Sequence, residues 1–286
     1  MTPQELHDLK IKNEVDAIVD KLLASARTAG RDVWVDDILK MEKDILVRMR
    51  AAAGTDNFYN LEAALVRTRQ RLATQLQAMN DEILKAFELP VKEQAKLKLR
   101  IKKGLPPIQE ARVNEAREFL ERFIRKDGQI TTEVSYRRVG PVNPKSEYKD
   151  RSYAMGTDIY MSPHARTRVA VHELGHTIEN VGQQWRGSRW SSRYNEMLTD
   201  YRIERAGGAA PERLKDLFPL SGYKDHEITT KDKFMEAYTG KVYDSNHTEI
   251  LSMTMEEFYA NPVNLLLNDD ASLRIVMRIL REGKRP

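Results

Sequence analysis

Apolar positions in the first part of the chain recur at the spacing of helices. In Phe58–Leu89 the leucines that fall close to one face, opposite arginine and glutamine, are Leu61, Leu65, Leu72 and Leu76. Similar patterns predict helices over Glu5–Thr28, Val35–Ala53 and Ile108–Arg125, each ended by glycine or an Asp-Gly pair. We therefore expect residues 1–107 to form a helical arm or bundle.

The pattern changes to shorter segments near residue 128. Ile130–Arg138 alternates in the manner of a strand, and Ser152–Met161 predicts one or two more strands around Gly156. Ser162-Pro163 then predicts the start of a helix, with serine as N-cap and proline at its first position. These elements predict an α+β fold, mostly helical, in which residues 108–286 form a second domain with a small mixed sheet.

Composition narrows the class of protein. The chain has 286 residues, of which 41% are hydrophobic and 31% charged, and its formal net charge is +4, as in a globular protein. No apolar run is long enough to span a bilayer, and the polar segment Met1–Lys10 lacks the apolar stretch of a secretory signal, so we expect no membrane contact. The absence of cysteine excludes disulfides and thiolate metal ligands.

A basic stretch lies between Val91 and Lys103. Its only acid is Glu93, and its basic residues are Lys92, Lys96, Lys98, Arg100, Lys102 and Lys103. The simpler interpretation is a solvated helix face followed by a loop. A nucleic-acid contact is the alternative, but no aromatic residues interleave the basic ones, so nucleic acid is not an expected partner.

The strongest chemical signal is His172-Glu173-Leu174-Gly175-His176. Two histidines four residues apart on a helix project from the same face and can bind one Zn²⁺ together. Glu173 follows directly and can act as the base that takes a proton from metal-activated water. The motif resembles the HExxH helix of the zincin metallopeptidases. This resemblance implies zinc-dependent hydrolysis of peptide bonds in a protein or peptide substrate.

A third metal ligand is needed, and two acids are candidates. Glu196 lies twenty residues beyond His176 with Asp200 four further on, a spacing that resembles the thermolysin-like gluzincins. Asp200 would then accept the outer N–H of a ligand histidine. Glu249 opens a later predicted helix, and Ser252 three residues on is small enough to pack against the metal helix, which resembles gluzincins with a later glutamate helix. The two acids remain alternatives.

Other side chains are candidates for supporting roles. Stabilisation of a developing oxyanion commonly uses a tyrosine, histidine or arginine. The candidates of these types, all in the second half of the chain, are Tyr194, Tyr201, His226, Tyr243 and His247. Asp158–Met161, just before the metal helix, is the expected edge strand for an extended peptide.

The C-terminal region also resembles bacteriophage and prophage head-morphogenesis proteins of the minor-head class, over about residues 108–285. The segments that carry this resemblance are Glu204–Gly208, Lys231–Phe234, Tyr238–Tyr243 and Thr248–Glu256. It implies a phage- or prophage-encoded protein of the virion or the bacterial cytoplasm, with phage head or portal proteins as partners. The alternative function is a structural head protein with a zincin fold and no proteolytic role.

Overall fold

The computed structural model describes most of the chain. The described residues are 1–28, 37, 40–41, 44–49, 51–52, 55–134, 137–145, 151–186, 189–217, 223–230 and 234–283. They fall into two compact units, one of Met1–Val15 with Glu88–Pro286 and the other of Asp16–Phe87. The boundary expected at residue 107 therefore falls inside the first of these units.

Two long helices account for most of the second unit. Helix α1 spans Pro3–Thr28 and α2 spans Asp56–Phe87, which confirms the helices predicted over Glu5–Thr28 and Phe58–Leu89. Each helix buries apolar side chains at helical spacing. On α1 these include Val19, Leu22 and Ala26, and on α2 they include Leu61, Leu65, Leu76 and Ile83.

The first unit contains a four-stranded mixed sheet. Its strands are β1 (Arg100–Ile101), β2 (Arg138–Pro141), β3 (Tyr153–Met155) and β4 (Asp158–Met161). Their order is β1-β2-β4-β3, with β1, β2 and β4 parallel and β3 antiparallel to β4. The expectation that Asp158–Met161 is an edge strand is wrong, because β4 lies between β2 and β3. The edge on this side is β3.

Helices and two smaller sheets complete the first unit. The helices are α3 (Pro107–Glu121), α4 (Gln129–Val134), α5 (Thr167–Glu179), α6 (Arg193–Ala206), α7 (Leu214–Leu217), α8 (Ile250–Ala260), α9 (Pro262–Asn268) and α10 (Asp270–Arg281). The strands are β5 (Gln184–Arg186) with β6 (Arg189–Ser191), and β7 (Glu212–Arg213), β8 (Ile228–Thr229) and β9 (Lys241–Val242) in that order. Helix and sheet together confirm the α+β, mostly helical class.

The core of this unit is centred on α5. Helix α5 packs most extensively against α8 and next against α3. Its buried apolar side chains include Val171, Leu174 and Ile178, and those of α8 include Leu251, Met255 and Phe258. A Cβ on Gly175 would lie 2.7 Å from the Cα of Ser252, closer than real Cβ atoms come to a neighbour. The glycine therefore allows the two helices to touch at their backbones.

One predicted strand is a helix. Ile130–Arg138 was expected to be extended, but Gln129–Val134 forms α4, and of this segment only Arg138 belongs to a described strand. Ile130 and Val134 are both buried. Because they are four residues apart, one turn of helix brings them to the same face as readily as alternation does in a strand.

The metal helix also begins later than expected. Ser162-Pro163 was predicted to start it, but α5 begins at Thr167 after a turn in which Ala165 N donates to Ser162 O over 3.1 Å. Side chains of α3 bind the carbonyls of this turn: Gln109 donates to Pro163 O over 2.7 Å, and Arg112 donates to Ala165 O. These contacts stabilise the turn in place of a first helical turn.

Two other expectations concern the basic stretch and the helix over Val35–Ala53. The basic stretch is not a helix face, since Val91–Glu93 is a single 3₁₀ turn and the residues from there to β1 have no helical structure. The helix predicted over Val35–Ala53 lies largely outside the described residues. Among the helices that the structure describes, none has the length and apolar character needed to cross a membrane.

Candidate metal centre

Three side chains from two packed helices converge on one point. His172 and His176 stand one turn apart on α5, and Glu249 is the N-cap residue of α8. Oε2 of Glu249 lies 3.4 Å from His172 Nε2 and 3.1 Å from His176 Nε2. A tetrahedral zinc centre with bonds of about 2.0–2.1 Å has its donor atoms about 3.3 Å apart. These separations therefore fit a shared ion of that size.

Hydrogen bonds hold the Glu249 carboxylate so that its Oε2 faces the two histidines. Its side chain is only 2% exposed. Oε1 accepts a hydrogen bond from the Tyr243 hydroxyl, and Oε2 accepts one from Ser252 Oγ over 3.1 Å. Because Tyr243 binds the far oxygen, the carboxylate meets the histidines through Oε2.

Acidic side chains lie behind both histidines. His172 Nδ1 is 3.1 Å from Glu256 Oε2, within ion-pair distance but off the line of a straight hydrogen bond. His176 Nδ1 is 3.7 Å from Glu179 Oε2, and Glu179 Oε1 accepts hydrogen bonds from the backbone and hydroxyl of Thr248. Carboxylates in this position orient a metal-binding imidazole and raise its basicity.

Sequence reasoning missed both of these acids. It assigned the orienting role to Asp200, which is exposed on α6 and makes no described contact with the histidines. A signal for these two acids was available in the sequence. Glu256 lies seven residues after Glu249, two turns along the same face of α8, and Glu179 lies three residues after His176.

The alternative third ligand lies elsewhere. Among the described residues, the group of donors that could hold one ion is His172, His176 and Glu249, with their ligand atoms within 4.8 Å of one another. Glu196 is not in this group, and its Oε1 accepts a hydrogen bond from Ser191 Oγ over 3.1 Å. The structure therefore favours Glu249 over Glu196.

A cavity of about 390 Å³ opens over the three donors. Glu173 lines it, with the side chain 4% exposed overall, and its Oε2 has no hydrogen-bond partner within the described part of the chain. A buried carboxylate oxygen without a partner is costly unless a ligand or water supplies one. The position of Glu173 next to His172 thus fits a base that acts on a molecule bound in the cavity.

Of the predicted supporting residues, two line this cavity. They are Tyr243, which is bonded to Glu249, and His247, whose Nδ1 lies 3.3 Å from Asn195 Nδ2. Burial lowers the pKa of His247, so this imidazole is neutral at pH 7.

The other predicted supporting residues do not line the cavity. Tyr201 contacts Ser272 and Arg205, His226 is exposed, and Tyr194 is buried, where burial and then Glu282 raise its pKa.

Two cavity residues were not foreseen. Arg151 and Tyr238 both line the cavity, and Arg151 Nη2 lies 3.2 Å from the Tyr238 hydroxyl, to which it donates a hydrogen bond. Arg151 lies in a bend before β3 and Tyr238 in the short 3₁₀ helix Ala237–Gly240, and neither segment is long enough for a periodic pattern to show which way a residue faces.

The electrostatics follow from burying acids beside imidazoles. Burial alone would lower the pKa of His172, but Glu249 and Glu256 raise it to about 9. Burial alone would raise the pKa of Glu249, but His176 and His172 hold it well below its usual value. Burial raises the pKa of Glu173. A divalent cation that binds here would compete with protons for the two imidazoles.

A larger cleft of about 1110 Å³ continues from the cavity. Both spaces are lined by Arg151, Tyr243 and the edge strand β3. The far wall of the cleft is formed by residues of β8 and β9, including Ile228, Lys241 and Val242. An extended segment entering over the donors would therefore pass along β3.

Comparison with protein-family models, curated proteins and solved structures finds no match. The resemblances to zincins and to phage head proteins stay predictions from the sequence motifs. The geometry of the described residues therefore carries the functional argument.

Proposed function

We propose that this protein is a zinc-dependent peptidase with His172, His176 and Glu249 as metal ligands and Glu173 as the general base. The observation that carries the proposal is the buried, unpartnered Oε2 of Glu173 beside three converging donors. The large majority of buried carboxylate oxygens in folded proteins have a hydrogen-bond partner, so an oxygen without one calls for an explanation. A catalytic base has such an oxygen, because its partner is the water or substrate that binds in the cavity.

The donor set suits zinc, because two imidazoles and one carboxylate leave a fourth position open, as in catalytic zinc sites. Zn²⁺ bound there supplies a Lewis acid that polarises a carbonyl and lowers the pKa of water. Glu173 takes the proton of the attacking water and passes it to the leaving amine. Burial raises the pKa of Glu173, which makes it a stronger base for the first transfer.

Binding groups for the substrate surround the donors. Arg151 and Tyr238 present a guanidinium and a hydroxyl to the cavity, and these are suitable donors for a carbonyl oxygen that gains negative charge. Strand β3 is an edge of the four-stranded sheet among the described strands, and an edge strand is a suitable partner for an extended peptide. The substrate class is therefore a peptide or an unfolded protein segment.

The biological setting is a proposal that rests on the sequence resemblance alone. Tyr238–Tyr243 and Thr248–Glu256 resemble segments of phage minor-head proteins, which supports a phage- or prophage-encoded enzyme of the virion or bacterial cytoplasm. Head or portal proteins are the corresponding partners. These two segments also supply Tyr238, Tyr243, Glu249 and Glu256 to the centre.

The test compares wild type with Glu173→Gln on a fluorogenic unfolded protein, with zinc content measured by elemental mass spectrometry. We expect the variant to keep its zinc and to lose roughly 10²–10⁴-fold in rate, the usual range for a general base. A chelator should stop the wild-type reaction. Glu196→Gln is the matched control and should remain active. Equal activity of Glu173→Gln and wild type contradicts the proposal, and zinc binding without any wild-type activity supports the structural head-protein alternative.

A further inference from the structure

A buried ion pair lies behind the cavity wall. Lys241 Nζ in β9 is 2.7 Å from Glu227 Oε1, and the two side chains are 9% and 8% exposed. The pairing of Thr229 with Lys241 between β8 and β9 fixes the lysine backbone. Glu227 also accepts a hydrogen bond from the backbone N of Lys224 over 2.8 Å. Both charges are thus held from more than one direction.

The ammonium of this pair lies against two tyrosines. Lys241 Nζ is 4.9 Å from the centroid of the Tyr238 ring and 4.7 Å from that of the Tyr243 ring. Both distances are within the range of cation–π attraction. Tyr243 in turn donates its hydroxyl to Glu249, and Tyr238 accepts from Arg151. A continuous set of contacts therefore runs from Glu227 to the third ligand.

Stability alone is a weak reason for such a pair. Removing two charges from water costs about as much as their attraction returns, and well-packed apolar residues often replace a buried pair without loss. An ammonium group that contacts two rings favours one placement of both rings, which apolar side chains would not do. It therefore restricts where the hydroxyl groups of the rings point.

We propose that Lys241, held by Glu227, is a positioning residue that fixes the rings of Tyr238 and Tyr243, so that Tyr243 directs Oε2 of Glu249 towards the metal. This inference rests on the proposed function, because it concerns the same centre. It assigns no contact with substrate to Lys241. The lysine acts on the ligand through the tyrosine.

The test measures metal affinity of the full chain by chelator competition with Zn²⁺ and Co²⁺, together with the absorption spectrum of the Co²⁺ form. Two variants remove the cation. Glu227→Gln with Lys241→Met leaves no unpaired buried charge, and Lys241→Gln keeps a hydrogen-bond donor for Glu227. Lys215→Met is the matched control, since the 2.9 Å pair of Lys215 with Asp225 is exposed.

We expect affinity about 10-fold weaker and an altered Co²⁺ spectrum in either variant that folds, as for other residues behind a metal ligand. The control should match wild type. In a Tyr243→Phe background the same substitutions should have a smaller effect on affinity, because the path through the Tyr243 hydroxyl is already lost.

Wild-type affinity and spectrum in a folded variant overturn the inference. Failure of both variants to fold, with the control folded, also overturns it, because the pair would then serve the fold. Absence of metal binding by the wild type instead overturns the proposed function and the inference together.

Discussion

Tyr243 donates a hydrogen bond to Oε1 of Glu249, while Oε2 of the same carboxylate lies between His172 and His176. The tyrosine thereby divides the two oxygens between a protein contact and the candidate metal position. The carboxylate of Glu196 instead accepts a hydrogen bond from Ser191 Oγ, and Glu196 is not part of the donor group. The choice of third ligand thus follows from what surrounds each acid.

Substitution of the two acids provides a direct test of this choice. Glu249→Gln keeps the shape of the side chain but removes its charge, so zinc affinity should fall by at least ~100-fold, more than for residues that act behind a ligand. Glu196→Gln should bind zinc as wild type does. Both affinities are measured by chelator competition. A loss of affinity confined to Glu196→Gln would mean that Glu196, and not Glu249, is the third ligand.

Gly175→Ala tests the contact between α5 and α8. Helix propensity alone predicts that alanine stabilises the protein by ~1 kcal/mol. The added Cβ would lie 2.7 Å from Ser252 Cα, so we expect destabilisation instead, by about 1–3 kcal/mol as for other overpacked cores. Urea unfolding of the metal-free protein shows whether the substitution raises or lowers the free energy of unfolding. A more stable variant would show that the helices separate at little cost.

Acid stability should depend on Asp158 in the central sheet. Burial favours a higher pKa for this carboxyl, but Lys102 and Arg138 outweigh it and the pKa is lowered. Because the folded pKa is below the unfolded value of about 3.9, the carboxylate stabilises the fold above that pH. Its contribution is lost as the pH falls through the folded pKa.

Asp158→Asn should therefore lower the free energy of unfolding by ~1 kcal/mol at pH 7, and the difference from wild type should shrink below about pH 4. Urea unfolding at several pH values measures it. Asp225→Asn is the control, since its exposed pair with Lys215 is screened by solvent, and its effect should be far smaller. A difference that is constant with pH would exclude the charge as its cause.

Local spacing was sufficient to predict the features that lie within one helix. His172 and His176 share a face of α5 because they are four residues apart. The long apolar pattern of α2 predicts a helix whatever surface that helix packs against. Ser252 was expected to pack against the metal helix, and it contacts Gly175 there. The first two predictions depend only on neighbours along the chain, whereas the contact of Ser252 joins two helices and was expected from the small size of the residue.

Features decided by distant contacts were not predictable in this way. The turn after Ser162 is stabilised by Gln109 and Arg112 from α3, which no local pattern around residue 162 contains. The third ligand depends on the packing of α8 against α5, so spacing from His176 could not separate Glu196 from Glu249. Arg151 lines the cavity from a position two residues before β3, where no periodic pattern shows which way a side chain faces.

The donors of the metal centre are far apart along the chain. His172 and His176 stand on α5, whereas Glu249 begins α8, and α6, α7 and two small sheets lie between them. A chain emerging from the ribosome therefore displays both histidines and Glu173 well before Glu249 has been synthesised. If the proposed activity needs all three donors, a half-made chain cannot cut itself or its neighbours, and the timing of translation protects the cell that makes it.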